Sequence, residues 1–243
     1  MDSICSETVL ETGETFLPDD PLELSYEGRE HYLLEWTTEC CTAKNVVSLE
    51  EGWRILNNYG IKVIHRYLET MNSMCDNEKQ KPLGSKGFTS LYTISYKLGT
   101  ALRVDLVDYS RVLYDRCKES VEEFVQKNIV EKLNKLLTGE DIEFLKEYSS
   151  GWDKHQLLAK YMKRIFANLD RSVVRTEELP TVTSCYMNCF YVQVVKEFNV
   201  RTRQCLLRCF SQDRNGTLDP AHRVIIKKVV QVSPVNYMCL LLC

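Results

Sequence analysis

Glycine and proline are scarce, 10 and 6 among 243 residues. That scarcity excludes collagen-like and low-complexity chains. With 44% hydrophobic and 27% charged residues, the sequence is not that of a wholly disordered chain either. It lacks an excess of either charge: 31 Lys+Arg against 34 Asp+Glu leave −3, so no basic surplus is available to displace counterions from a nucleic acid. It also lacks a run of about 20 apolar residues, the length that crosses a bilayer; the most apolar stretch is Met238-Cys-Leu-Leu-Leu-Cys243. Met1 to Glu14 carries Asp2, Glu7, Glu11 and Glu14 without one basic residue, unlike a signal or transit peptide. Leu240 stands where a prenylation signal needs cysteine. Neither a nucleic-acid partner nor a membrane is expected.

Catalytic signatures are missing too. No His-Glu-x-x-His, Gly-x-Ser-x-Gly, phosphate-binding loop or dinucleotide fingerprint occurs, and His31, His65, His155 and His222 are scattered. Asp213 to Asp219 has the look of a calcium loop, but Leu218 takes the place of the sharp-turn glycine and the terminal glutamate is absent. Cysteine, by contrast, is plentiful. Eleven of them, an odd number, without a secretory leader, fit a reducing compartment, cytoplasm or nucleus, with most acting as small apolar side chains. The sequon Asn215-Gly216-Thr217 then has no role. Three pairs share the spacing Cys-x-x-x-Cys: Cys185/Cys189, Cys205/Cys209 and Cys239/Cys243. Such pairs lie on one helical face and read either as core packing, which their aromatic and leucine neighbours favour, or as a metal or redox site. No cofactor and no metal is expected, and the chain reads as non-catalytic.

What the sequence does have is helix. Residues 1–46 are acidic and aperiodic and read as a poorly ordered extension with Pro18 and Pro21. Ser48-Leu-Glu-Glu51 is a capping box, followed by Leu56, Val63, Ile64, Tyr67, Leu68 and Met71 at helical spacing. Asn77 to Gly87 reads as a loop, and Phe88 to Leu98 as a helix that Gly99 caps. A long helix is expected from Asp108 to Leu137, a short one from Asp141 to Tyr148, and a strongly amphipathic one from Asp153 to Arg175. Thr183 to Phe210 and Ala221 to Val232 follow, the last capped by Asp219 with Pro220 at its first position. The fold class is all-α, an elongated helical bundle or solenoid. Aromatic residues give the functional cue. Phe88, Tyr92 and Tyr96 on one helix, and Leu157, Tyr161 and Ile165 on another, form stripes wider than one helix pair buries. Either they complete the core or they leave an aromatic surface for a partner.

At these residues the chain resembles the amino-terminal part of cullins, of the plant class that binds Skp-type adaptors. The matching segments are Leu49-Glu-Glu-Gly-Trp53, FTSLYTISYKLGT (Phe88 to Thr100), DYSRVLYDRCKESVEEFV (Asp108 to Val125) and SGWDKHQLLAKYMKRIFANLDRSVV (Ser150 to Val174), followed by the charged turn Asp213 to Asp219. Together they cover residues 47–232 in the family's order. The resemblance implies a scaffold of ubiquitin ligases built of cullin repeats. A first repeat would occupy residues 47–180, the start of a second 181–232, and an apolar tail 233–243. It implies a Skp-type adaptor carrying an F-box protein as partner, held by Phe88, Thr89, Tyr92 and Ser95 together with Lys154, Leu157, Tyr161 and Ile165. Thr89 departs from the bulkier apolar residue expected there, and Lys97 and Gly99-Thr100 depart from the usual end of that helix. The carboxy-terminal region that recruits a RING subunit has no counterpart here, so adaptor binding without RING recruitment is the expectation. The competing reading is a generic helical tether with no adaptor affinity.

Overall fold

The computed structural model describes residues 24–42, 48–71, 81–100 and 109–232. Nine helices run through them: α1 (Tyr26–Thr42), α2 (residues 49–70), α3 (Ser85–Thr100), α4 (residues 109–135), α5 (Asp141–Phe166), α6 (Val173–Glu177), α7 (residues 182–196), α8 (Asn199–Arg214) and α9 (His222–Gln231). No strand occurs among the described residues. The all-α expectation holds.

Three of the long helices contain a π turn, at Leu56–Ile61 in α2, Gln126–Val130 in α4 and Tyr191–Lys196 in α7. A π turn adds a residue to the helical repeat. In α2 the slip lets Ile55 before it, Leu56, Tyr59 and Ile61 within it, and Ile64 and Leu68 after it all reach the core. The α2 start is the expected one: the Ser48 hydroxyl accepts the Glu51 N–H at 3.2 Å.

Helix α5 is the spine of the molecule. The half near its C-terminus packs on α2 and α3, and the helix also meets α7, α8 and α9. The sequence predicts two helices here, Asp141 to Tyr148 and Asp153 to Arg175, yet one helix runs unbroken for 26 residues and ends at Phe166. The reason is steric. Gly151 faces α4 so closely that a Cβ there would stand 2.7 Å from Ile129 Cγ2, so the glycine serves close helix packing rather than a break. Gly99 is a second correction. It lies inside α3 instead of capping it. The Ser110 hydroxyl donates to its carbonyl at 3.0 Å, and a Cβ would meet Asn168 Nδ2 and Ser110 Oγ at 3.1 Å each.

The expected poorly ordered extension before Ser48 contains α1, which packs on α3. Leu33 is fully buried and Trp36 nearly so, Tyr32 stacks on Tyr59 at 4.6 Å, and the Gly87 N–H donates to Glu30 Oε1 at 3.2 Å. Among its described side chains only Leu33 and Trp36 are buried apolar residues, so α1 has no sustained period for the sequence to display. Pro18, Pro21, the Cys239/Cys243 pair and the apolar tail 233–243 lie outside the described residues.

The later helices are pinned to α5 by charge as well as by packing. Arg201 on α8 donates to Asp141 Oδ1 and to the Gly139 carbonyl, both at 2.8 Å, and its guanidinium lies 5.4 Å from the Phe144 ring centroid. Lys228 on α9 pairs with Asp153. The Val182 N–H at the start of α7 donates to Asp170 Oδ1 at 2.7 Å, which ties the turn after α5 to the next helix. Asp213 and Asp219 serve structure as well: the first pairs with Arg223 at 2.8 Å and the second accepts the Ala221 N–H at 2.9 Å.

Candidate functional site

Helices α3 and α5 lie side by side because their apolar stripes face each other. Phe88 from α3 stacks on Tyr161 from α5, ring centroids 5.6 Å apart and planes 21° apart. Arg164, one turn beyond Tyr161, sets its guanidinium 3.8 Å from the Phe88 ring centroid, a cation–π contact that closes the stack from the solvent side. Tyr67 of α2 meets Tyr161 edge-on at 6.4 Å. Burial, with Tyr67 adding to it, raises the Tyr161 phenol above its ordinary pKa.

The structure divides the eight residues singled out from the sequence. Phe88 is only 3% exposed, and Ser95, Lys154 and Ile165 are likewise buried. These four do not face solvent, so of the two readings the stripes allow, core packing holds for them. The reason is the width of the stripes: their inner edges are used up against the neighbouring helix. Ser95 shows this most plainly. Its hydroxyl donates to Asn168 Oδ1 at 2.8 Å, and Asn168 Nδ2 donates back to the Ser95 carbonyl at 3.1 Å. This reciprocal pair fixes the end of α3 to the segment after α5. Lys154 is buried beside Lys132, and burial first, then that like charge, lowers its ammonium pKa. Burial of this kind is tolerated when a long stem brings the charged tip to an edge.

The other four reach the surface. Thr89 is exposed, its hydroxyl turned back to donate to the Ser85 carbonyl at 2.9 Å; Tyr92, Leu157 and Tyr161 are half-buried. Tyr96 joins them, stacked 6.2 Å from Tyr92 and 50% exposed. The sequence placed Tyr96 in the stripe but not in the site; its position one turn beyond Tyr92 was the signal. The result is a strip of phenol, hydroxyl and aliphatic groups over a firmly packed floor.

The cysteine pairs are built differently. Cys185, Cys189, Cys205 and Cys209 are buried and unlinked. Cys189 donates to the Cys185 carbonyl at 3.2 Å. The Cys189 thiol, together with the Tyr114 hydroxyl, lowers the Cys185 thiol below its ordinary pKa. No group of three or more His, Cys, Asp or Glu side chains among the described residues is placed to hold a metal ion. His155 is wholly buried between Phe190, 5.0 Å away, and Trp152, 6.3 Å away, and burial pushes its pKa down to about 4. No helix among the described residues is long and apolar enough to cross a membrane.

Comparison with known proteins bears on this arrangement. Residues 58–236 match the family model of the cullin alpha solenoid domain. Cullin-1 of Oryza sativa subsp. japonica is 24% identical over 189 residues, 78% of this chain and 23% of that protein. Putative cullin-like protein 1 of Arabidopsis thaliana is 26% identical over 189 residues, 78% of this chain and 24% of the relative. Cullin-like protein 3 of Arabidopsis thaliana is 23% identical over 165 residues, 68% of this chain and 60% of the relative. The chain thus spans about a quarter of the length of the first two. No solved structure matches.

Proposed function

The chain belongs to the cullin family, and from that premise we propose that it is a non-catalytic scaffold module whose α3–α5 surface docks a Skp-type adaptor carrying an F-box receptor. In this reading the module serves ubiquitin-dependent protein catabolism. One observation carries it: the Phe88–Tyr161 stack holds two helices in register while Tyr92, Tyr96, Leu157 and Tyr161 keep part of their surface in water. Aromatic side chains on a rigid floor are the usual anchors of protein interfaces, because little conformational freedom is lost when a partner covers them. Phe88, Ser95, Lys154 and Ile165 act from beneath, holding the anchors in place.

Covering what remains of Tyr92 is worth about 1–2 kcal/mol, or roughly tenfold in affinity. Retention of a Skp-type adaptor by the full chain is the direct test. The double variant Tyr92→Ala/Tyr161→Ala should lose retention while keeping its helicity. Wild-type chain that retains no adaptor, or a folded double variant that retains it undiminished, removes the reading. Thr89→Leu sharpens it: restoring an aliphatic group beside Tyr92 should strengthen retention several-fold.

A further inference from the structure

The outward face of α8 is a second exposed apolar surface, at the other end of α5. Helical spacing sets Val200, Arg203, Leu207, Phe210 and Arg214 within one face about 120° wide, opposite the buried Cys205 and Cys209. Val200 is 69% exposed, Leu207 59% and Phe210 43%. Three large apolar groups on a single face mark a contact surface. The unpaired charged side chains of α8 beside them are basic. Arg203 and Arg214 enter no ion pair among the described residues, and the one carboxylate of α8, Asp213, is held by Arg223. Arg208 on the flank reaches Asp141 at 3.2 Å and stays 63% exposed.

We infer that this face docks an acidic amphipathic segment of a partner polypeptide, with its aliphatic side chains over Leu207 and Phe210 and its carboxylates against Arg203 and Arg214. Charge complementarity selects this occupant. A second copy of the same face would set guanidinium groups against each other. The uncharged stretch Val235 to Cys243 would leave both arginines without a counter-charge. The adaptor surface is separate: α8 is anchored at Asp141 and Phe144, whereas Tyr161 lies about 30 Å further along α5.

The test uses the full chain and a synthetic peptide of roughly 15 residues with leucines at helical spacing and glutamates between them, followed by fluorescence anisotropy at low and high salt. The peptide should bind, and more weakly as salt rises. Leu207→Asp/Phe210→Asp should cost roughly tenfold or more. Arg203→Glu/Arg214→Glu should do the same with helicity and adaptor retention unchanged. Tyr92→Ala should leave peptide affinity untouched, so failure here and failure of the adaptor reading are separable. Equal binding of a lysine-for-glutamate peptide would overturn the inference. So would binding of phosphatidylserine vesicles but not the peptide, or self-association abolished by Leu207→Asp.

Discussion

The C-terminal end of α5 and its middle use the same helical packing and leave different things to solvent. Near its C-terminus the helix carries rings whose outer parts stay wet: Tyr161, stacked over the buried Phe88, with Tyr92 and Tyr96 beyond them. In its middle the rings close on themselves. Trp152 and His155 lie 5.1 Å and 5.0 Å from Phe190, and Tyr148 is 6.3 Å from it, all of them buried. One set of aromatics keeps surface that the proposed adaptor would cover, while the other is spent on cohesion. If this division is real, substitutions should separate stability from binding according to which cluster they strike.

The largest effect is expected at the closed cluster. Phe190→Ala removes the ring that three aromatic neighbours share, and a truncation of this kind costs about 3–5 kcal/mol. Urea denaturation followed by circular dichroism measures it. A loss below about 1 kcal/mol would break the contrast, since the cluster would then not be a centre of cohesion.

Acid should act on the same place. His155 has its pKa pushed from 6.5 down to about 4 by burial, so between those values the unfolded chain binds a proton that the folded chain refuses. Stability from this group is complete above pH 6.5 and drains away as pH falls toward 4, by about 2 kcal/mol between pH 7 and pH 5. His65, whose pKa burial and Lys127 also lower to about 4, adds in the same direction. His155→Leu should flatten the dependence of the urea midpoint on pH, and an unchanged slope would place the acid sensitivity elsewhere.

Beyond the open cluster, where α3 and the segment after α5 meet, stands the Ser95–Asn168 pair. Asn168→Ala leaves the buried Ser95 hydroxyl without its partner and should cost about 1–3 kcal/mol. Because α3 stays stacked through Phe88, adaptor retention should fall less than in Tyr92→Ala. A drop as deep as that variant's would mean that the pair positions the open strip.

This pair also shows where the sequence stops being legible. Ser48, Asp219 and the apolar stripes declared their helices through local chemistry, which acts within one or two turns. The family's own motifs made the solenoid readable as well. Ser95, however, looked like a polar contact within an aromatic stripe, and its partner lies 73 residues away. Lys154 belongs to a residue type that is rarely buried, and its burial is decided by the neighbouring α4 and α2. Ser149-Ser150-Gly151 looked like a break because nothing local reveals Ile129 across the interface. Which side of a wide stripe faces inward is a tertiary fact, so the rings of the candidate surface were visible in the sequence and their division into floor and anchors was not.

The smallest change in stability should come from Tyr96→Ala, and it is the sharpest probe of the open end. Tyr96 is half in water and its stacking partner Tyr92 is itself only half-buried. Truncation forfeits one exposed ring contact, a cost within about 0.5 kcal/mol. The same ring extends by one helical turn the strip that a partner can cover, and an interface buries what the free chain leaves wet. The urea midpoint should therefore stay put while adaptor retention weakens several-fold. A shift in the midpoint would mean that the Tyr92–Tyr96 stack belongs to the core after all. An unchanged midpoint with unchanged retention would confine the docking strip to Thr89, Tyr92 and the α5 side, and would move the edge of the interface one helical turn toward the start of α3.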